Sequence, residues 1–142
     1  MSHDEHAGNP YLDGALLKEQ AAGAVELIAR YWESLEGRRV LSAAKPGDIF
    51  GALPELPPER GLGAEGFAEA LRTVEGLMIP GLTHWQSPNF FAFFPANIST
   101  PAVVGELLSA GLGVQGMLWA TSPACTEVET RVVDWLARML AL

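Results

Sequence analysis

The sequence of 142 residues has few cysteines, few lysines and no long apolar runs. Its only cysteine, Cys125, excludes an internal disulfide and favours a reducing compartment, so we expect a cytoplasmic protein. Two lysines, seven scattered arginines and a net charge of −8 argue against a nucleic-acid-binding protein. No stretch approaches the roughly 18 consecutive apolar residues of a membrane span. The polar start MSHDEHAGNP is unlike a secretory signal peptide.

Motifs of self-contained chemistry are also missing. The sequence has no GxGxxG before a helix, no P-loop, no HExxH and no CxxC. His3 and His6 fall within residues 1–12, which we expect to be a flexible tail and not a metal site. Glu127 and Glu129 are two positions apart on a predicted helix and point in different directions, so they do not form an acid–base pair. We therefore predict no catalytic group and no metal site in this segment.

Charge is nearly absent from residues 77–126. Apart from Cys125, the only ionisable side chains there are His84 and Glu106. A stretch of this length without charge cannot easily face water on every side. It is either buried within this chain or expected to meet another surface.

Apolar periodicity predicts an all-α fold of about four helices joined by long Pro/Gly-rich loops. The first helix is expected over residues 14–36, where apolar residues recur three or four positions apart. The second is expected over residues 64–78 and should end at Pro80. Between them, residues 40–63 are too rich in proline for a helix interior.

The second half of the chain predicts two further helices and at most a short strand at residues 90–94. Thr100-Pro101 has the pattern of a cap followed by a first-turn proline, and the helix to Leu112 is apolar nearly all round, so we expect it to be buried. Ser122-Pro123 repeats the pattern before a last helix that runs to the end of the chain. The i,i+4 spacing there predicts surface ion pairs Glu127–Arg131 and Asp134–Arg138.

Residues 83–97, THWQSPNFFAFFPAN, combine four phenylalanines and a tryptophan with two prolines. One interpretation of the phenylalanines is a core cluster beneath a loop. The other is a pocket wall, because aromatic rings on an extended, proline-stiffened loop present flat, rigid surfaces that suit the ring of a small molecule. We interpret His84 as an interfacial histidine with a satisfied hydrogen bond.

The runs THWQSPNFFAFFPA and GELLSAGLGVQGMLWATSPACTEVET, followed by DWL, strongly resemble the N-terminal region of the group II pyridoxal-phosphate-dependent decarboxylases. The resemblance is greatest to the aromatic-L-amino-acid decarboxylases of DOPA, tryptophan, tyrosine or phenylalanine, and it is densest over residues 80–136. It implies a homodimeric enzyme of the type I α/β fold. With pyridoxal 5'-phosphate as cofactor, such an enzyme removes the α-carboxylate as CO₂ to give an arylalkylamine.

The resemblance also implies roles for parts of the chain. Residues 13–82 would be a helical dimerisation region, and residues 83–142 would be the aromatic pocket loop and the start of the large domain. The residues that would line the pocket for the substrate's aromatic ring are Trp85, Phe93, Phe94 and Pro95. The glycine-rich turn Gly113–Leu118 would bring Gln115 and Met117 to the partner subunit's pocket.

Two departures from the family remove polar groups. The family often has tyrosine where Phe93 stands, and the animal enzymes have threonine where Ala96 stands. The Schiff-base lysine of the family follows a histidine in an Asn/Ser-x-His-Lys context, which neither Lys18 nor Lys45 matches. We therefore expect the lysine that bonds the cofactor to be absent from this segment.

Two hypotheses follow. The first is that the chain is the N-terminal segment of an aromatic-amino-acid decarboxylase and is inactive alone. The amphipathic helix at the end of the sequence favours it, because it suggests a chain cut from something longer. The alternative is a stand-alone helical dimerisation module or a gene remnant without enzymatic activity. Both predict a homodimer or higher homo-oligomer, because apolar surface that stays exposed in one chain favours self-association.

Overall fold

The computed structural model of the chain describes residues 12–59, 61, 63–94 and 97–142, without the side chain of Ala64. These residues form α-helices with short 3₁₀ and π turns, and none of them is in a strand. The all-α expectation is confirmed for this part of the chain, and residues 90–94, where we expected at most a short strand, contain none. The tail expected at residues 1–12 lies outside the described residues except for Leu12.

The chain divides into two compact units, residues 1–96 and 97–142. The functional division placed between residues 82 and 83 from the sequence stays a prediction. Among the helices of the described residues, none has both the length and the hydropathy needed to cross a membrane.

Helix α1, Gly14–Ser34, opens the first unit and closely matches the helix predicted from periodicity. Asp13 caps it, because its carboxylate accepts hydrogen bonds from the backbone N–H groups of Ala15 and Leu16 at 2.8 and 3.0 Å. A 3₁₀ turn, Leu35–Gly37, follows directly.

The proline-rich loop contains a short helix that the sequence did not predict, α2, Asp48–Ala52. Beyond it, α3, Gly63–Thr73, continues through a π turn, Val74–Met78, into α4, Ile79–Gly81. The helix that we expected to end at Pro80 therefore ends one residue later, at Gly81. Pro80 lies in the first turn of α4, and because it has no N–H group it donates no hydrogen bond to the preceding turn.

The first unit buries a small core. Its members come from α1, the 3₁₀ turn, α4 and the aromatic loop, and they are Leu27, Leu35, Ile79 and Phe90. Helices α1 and α3 approach closely at Gly23, where a Cβ atom would lie 3.2 Å from the side chain of Leu71. An ion pair of 3.1 Å between Arg30 and Glu75 also joins α1 to the π turn.

The second unit consists of α5, Thr100–Leu112, and α6, Pro123–Met139, with a turn between them. Ser99 caps α5, so Thr100 is the first helical residue and not the cap as predicted. Ser122 caps α6 and Pro123 begins it, which confirms that prediction. Gly113 ends α5 in a left-handed conformation with φ 60°.

The expectation that α5 is buried is wrong. No residue of 97–142 is buried in this chain, and apolar side chains of α5 such as Leu107 and Leu108 are exposed. Helix α5 is apolar nearly all round, and one further helix and a turn are too little chain to cover all of its faces within this unit.

The ion pairs predicted on α6 are half confirmed. Asp134 pairs with Arg138 at 3.1 Å, as the spacing predicts. Arg131 also pairs with Asp134, at 3.5 Å, and Glu127 accepts a hydrogen bond of 3.0 Å from the indole Nε1 of Trp119 instead. The three-residue spacing from Arg131 to Asp134 competes with the four-residue spacing to Glu127, since both lie on the same helix surface.

Candidate functional site

The aromatic loop of the first unit is fixed by backbone hydrogen bonds. The N–H of His84 donates to the carbonyl of Val40 at 2.9 Å, which ties the loop to the chain just after α1. The N–H groups of Ser87 and Phe90 then donate to the carbonyls of His84 and Ser87, each at 3.0 Å. The loop is therefore a defined pair of tight turns and presents Trp85 from a fixed backbone.

His84 anchors the loop through its side chain as well. It is only 4% exposed, and its Nδ1 lies 2.9 Å from the hydroxyl of Tyr31 on α1. Burial, with a smaller effect of the nearby Arg38 guanidinium, lowers the pKa of His84. Burial raises the pKa of Tyr31. The Tyr31 hydroxyl and His84 Nδ1 thus form a part-buried hydrogen bond whose donor depends on the imidazole tautomer, and the expected satisfied hydrogen bond of His84 is confirmed.

Tyr31 is held by a second layer of contacts from its own helix and the turn after it. The Arg38 guanidinium carbon lies 5.6 Å from the centre of the Tyr31 ring, and Arg38 Nε donates to the Ser34 hydroxyl at 2.7 Å. Ser34 in turn donates to the carbonyl of Tyr31 at 2.7 Å. Sequence reasoning missed this network, although the spacing of three and four residues between its members was a signal that they share a helix face.

Trp85 packs against two phenylalanines of the loop. Its ring centre lies 4.8 Å from that of Phe90, at an interplanar angle of 34°. The Phe93 ring stacks on Trp85 at 5.7 Å and 25°. Phe93 has a left-handed backbone, with φ 60°, which is uncommon for a residue with a large side chain. This strained conformation accompanies the stacking of Phe93 on Trp85.

The core interpretation of the phenylalanine run holds for one residue, and the pocket-wall interpretation stays a prediction. Phe90 is a core residue, whereas Trp85 is 43% exposed and Phe93 is 82% exposed. Phe91 and Phe94 are exposed as well. Pro95, the remaining residue predicted for this wall, lies outside the described residues. The first unit thus presents a stacked, half-open aromatic surface on a fixed loop.

The two other predicted site residues, Gln115 and Met117, belong to the second unit. Their turn is pinned by Thr121, whose hydroxyl lies 2.8 and 2.9 Å from the carbonyls of Gln115 and Leu118. A Cβ atom at Gly116 would lie 3.2 Å from Cys125 Cβ, so the turn packs tightly on the start of α6. Gln115 and Met117 are both exposed at the surface of this unit.

The described residues do not by themselves fit a pyridoxal phosphate site. A lysine that bonds such a cofactor acts from an enclosed pocket that favours its neutral amine. Lys18 is exposed on α1, and Lys45 is exposed in the loop before α2. The described part of the chain also holds no group of three or more metal-ligating side chains.

A protein-family comparison gives one match that covers much of the chain. Residues 51–142 match the model described as the pyridoxal-dependent decarboxylase conserved domain. Tyrosine decarboxylase 2 of Narcissus pseudonarcissus is 43% identical over 92% of this chain and 26% of its own length. The 4-hydroxyphenylacetaldehyde synthase of Rhodiola rosea is 46% identical over 94% of this chain and 26% of its own length.

Solved structures agree with these matches. The crystal structure of the Rhodiola rosea synthase aligns with a TM-score of 0.85, over 94% of this chain and 28% of that chain. Catharanthus roseus tryptophan decarboxylase in complex with L-tryptophan aligns equally well, with 39% identity and the same coverage. The chain thus spans about a quarter of the length of the curated relatives it matches.

Proposed function

The chain belongs to the pyridoxal-dependent decarboxylase family and corresponds to an N-terminal segment of such an enzyme, and we propose that the complete enzyme is an aromatic-L-amino-acid decarboxylase. The complete enzyme would release the α-carboxylate of the substrate as CO₂, and a proton would take its place at the α-carbon. The product would be an arylalkylamine. This segment would supply part of the substrate pocket and part of a dimer interface.

The observation that carries the proposal is the stacked surface formed by Trp85 and Phe93. Their loop is fixed by the hydrogen bonds of His84, so the rings do not have to be ordered when a substrate arrives. The exposed faces of Trp85, Phe93 and Phe94 are apolar and flat, which suits the side chain of an aromatic amino acid. We propose that these three residues and Pro95 form one wall of the pocket.

Gln115 and Met117 are proposed to line the pocket of the partner subunit in a homodimer. Their tightly pinned turn and the exposed apolar side chains of α5 support an interface on the second unit. In this proposal residues 13–82 serve mainly in dimerisation, and residues 83–142 form the pocket loop and the start of the large domain. We place the protein in the cytoplasm, in keeping with its single cysteine.

Pyridoxal 5'-phosphate is the cofactor proposed for the complete enzyme, where its ring supplies the electron-accepting system that decarboxylation needs. Because Lys18 and Lys45 are both exposed, we propose that the Schiff-base lysine lies outside these 142 residues. The segment alone is therefore expected to bind no cofactor covalently and to release no CO₂.

A chimaera tests the proposal. Residues 1–142 would replace the matching segment of Catharanthus roseus tryptophan decarboxylase, and amine, aldehyde and CO₂ would be measured with aromatic amino acids. We expect amine and CO₂ from the chimaera and neither from the 142-residue chain. Aldehyde as the main product would favour the activity for which the Rhodiola rosea relative is named.

Variants of the chimaera test the pocket wall. Trp85→Ala should raise KM for aromatic amino acids about tenfold, because the ring that stacks on the substrate is lost. Phe50→Ala is the matched control, since Phe50 is an exposed aromatic residue of α2 outside the loop, and it should leave KM unchanged. Equal effects of the two changes would contradict the proposed wall.

The exposed apolar surface of α5 also supports a second candidate, a helical dimerisation module without enzymatic activity. Both candidates predict self-association of the 142-residue chain in sedimentation experiments. They differ in the chimaera, because a mere dimerisation module would restore the dimer without making KM depend on Trp85.

A further inference from the structure

Two adjacent arginines of the first unit differ from the other arginines that the structure describes. Arg30, Arg72, Arg131 and Arg138 all pair with carboxylates. Within the described residues, no carboxylate lies within the 4.0 Å of a salt bridge from Arg38 or Arg39. The chain has 17 acidic and 9 basic residues. Two neighbouring guanidinium groups without an acidic partner therefore leave positive charge that can attract a negatively charged ligand.

Arg38 and Arg39 line the same cavity. It has a volume of about 230 Å³, and His84, Ser42 and Pro80 contribute to its wall. None of the residues that line it carries a carboxylate. The volume is below the roughly 300–1,000 Å³ of pockets for drug-sized molecules, so the cavity suits a small ion or a single charged group.

The hydrogen-bond donors at this cavity are held in place by the contacts of Tyr31. Arg38 donates its Nε to Ser34 and lies over the Tyr31 ring, which leaves its terminal NH₂ groups without a partner among the described residues. His84 uses Nδ1 for its 2.9 Å contact with the Tyr31 hydroxyl, so Nε2 is the ring nitrogen that this contact leaves open. Ser42 is already engaged, since its hydroxyl donates to the Pro80 carbonyl at 2.9 Å and accepts from the Ala44 N–H at 3.0 Å.

We propose that the cavity of Arg38, Arg39 and His84 binds a phosphate-type oxyanion, either the free ion or the phosphate group of a monoester. Guanidinium groups present paired N–H donors that match the oxygens of a phosphate, and the imidazole of His84 would add a neutral donor in the tautomer with its proton on Nε2. The cavity is separate from the stacked face of Trp85 and Phe93, so the proposal does not depend on the decarboxylase activity.

Calorimetric titration of the 142-residue chain tests the proposal, with inorganic phosphate and with phenyl phosphate as ligands. The ionic strength is kept constant with chloride, because salt screens weak attraction to exposed charges much more than binding at a partly buried site. We expect saturable binding with one site per chain. Equal affinity for the two ligands assigns the site to the phosphate group alone, and tighter binding of phenyl phosphate assigns it to a monoester.

Arg39→Gln is the test variant, because Arg39 is exposed and has no carboxylate partner among the described residues, so the fold does not depend on it. We expect the change to weaken binding at least tenfold. Arg72→Gln is the matched control, since it removes the same charge from an exposed arginine of the same unit, and it should change the affinity less than twofold. Absence of saturable binding, or equal losses in the two variants, would overturn the proposal.

Discussion

The two units of the chain differ in how their parts are joined. In the first unit, hydrogen bonds and ion pairs link residues far apart in sequence, such as Tyr31 with His84 and Arg30 with Glu75, and a small apolar core lies near them. In the second unit, hydrogen bonds such as that from Trp119 to Glu127 join residues close in sequence, and no residue is buried. The first unit has tertiary structure of its own, whereas the second has helices without a core.

This difference explains what became of the stretch without charge, residues 77–126. Its first part supplies buried groups to the first unit, among them Ile79, His84 and Phe90. Its later part, which includes α5, stays exposed in this chain. The uncharged stretch is therefore partly buried within the chain in its first part and exposed in its later part. The exposed part is what we propose meets a second subunit.

The largest effect is expected from one substitution made in each unit. Leu27 is 6% exposed on α1, and Leu108 is 60% exposed on α5. Leu27→Ala should lower the free energy of unfolding by about 2–5 kcal/mol, because it removes buried apolar surface and leaves a cavity. Leu108→Ala should change it by less than about 0.5 kcal/mol in the monomer. Urea unfolding followed by far-UV circular dichroism measures both values.

The pair of leucine variants is its own control, since the chemical change is the same. A large loss of stability from Leu108→Ala would contradict the comparison for the isolated chain. If that loss appeared only at high protein concentration, α5 would be covered by another copy, as proposed for the dimer.

Prediction from sequence was accurate for local features of the chain and failed for features that depend on packing. The all-α fold, the start of α1 and the cap at Ser122 were predictable, because periodicity and capping are local properties. The exposure of α5 was not predictable. An apolar helix is expected to be buried, but its sequence does not show whether the same chain or another chain buries it. The second helix was predicted over residues 64–78, but the π turn Val74–Met78 within it and the extension to Gly81 were not, because a π turn leaves no simple sequence signal.

The candidate site shows the same pattern. The residue types on the aromatic loop predicted an apolar wall, and the exposure of Trp85 and Phe93 is in keeping with it. Which phenylalanine enters the core was not predictable, since Phe90 and Phe93 have the same side chain and the left-handed backbone of Phe93 has no signal in the sequence. The contact of Tyr31 with His84 spans 53 positions, and single-sequence periodicity carries no information at that range.

A second, smaller effect is expected from that long-range contact. Tyr31→Phe should lower the free energy of unfolding by about 1–3 kcal/mol, because it leaves the buried Nδ1 of His84 without a hydrogen-bond partner. The loss is measured by the same urea unfolding. Tyr31→Phe keeps the ring under Arg38, so any effect is assigned to the hydroxyl. No loss of stability would mean that the hydrogen bond does not fasten the loop to α1.

The pH dependence of stability gives a separate readout of His84. Its pKa in the folded chain is below the ordinary value of 6.5, so the unfolded chain binds the proton first as pH falls. Stability should therefore decrease as pH drops through about 6.5 toward the lower folded pKa, and level off below it. His84→Gln should flatten this part of the profile. A profile that stays unchanged in His84→Gln would assign the acid sensitivity to other groups.

The smallest effect is expected in the second unit, at the hydrogen bond from Trp119 to Glu127. Both side chains are exposed, so water replaces the bond at little cost, and Glu127→Ala should lower the free energy of unfolding by about 0.5 kcal/mol or less. Glu127→Gln keeps an acceptor oxygen and should cost still less. Chemical shifts of the indole N–H of Trp119 would report loss of the bond in the alanine variant even where stability barely changes. A cost near that of Tyr31→Phe would instead show that the turn between α5 and α6 helps to hold the second unit together.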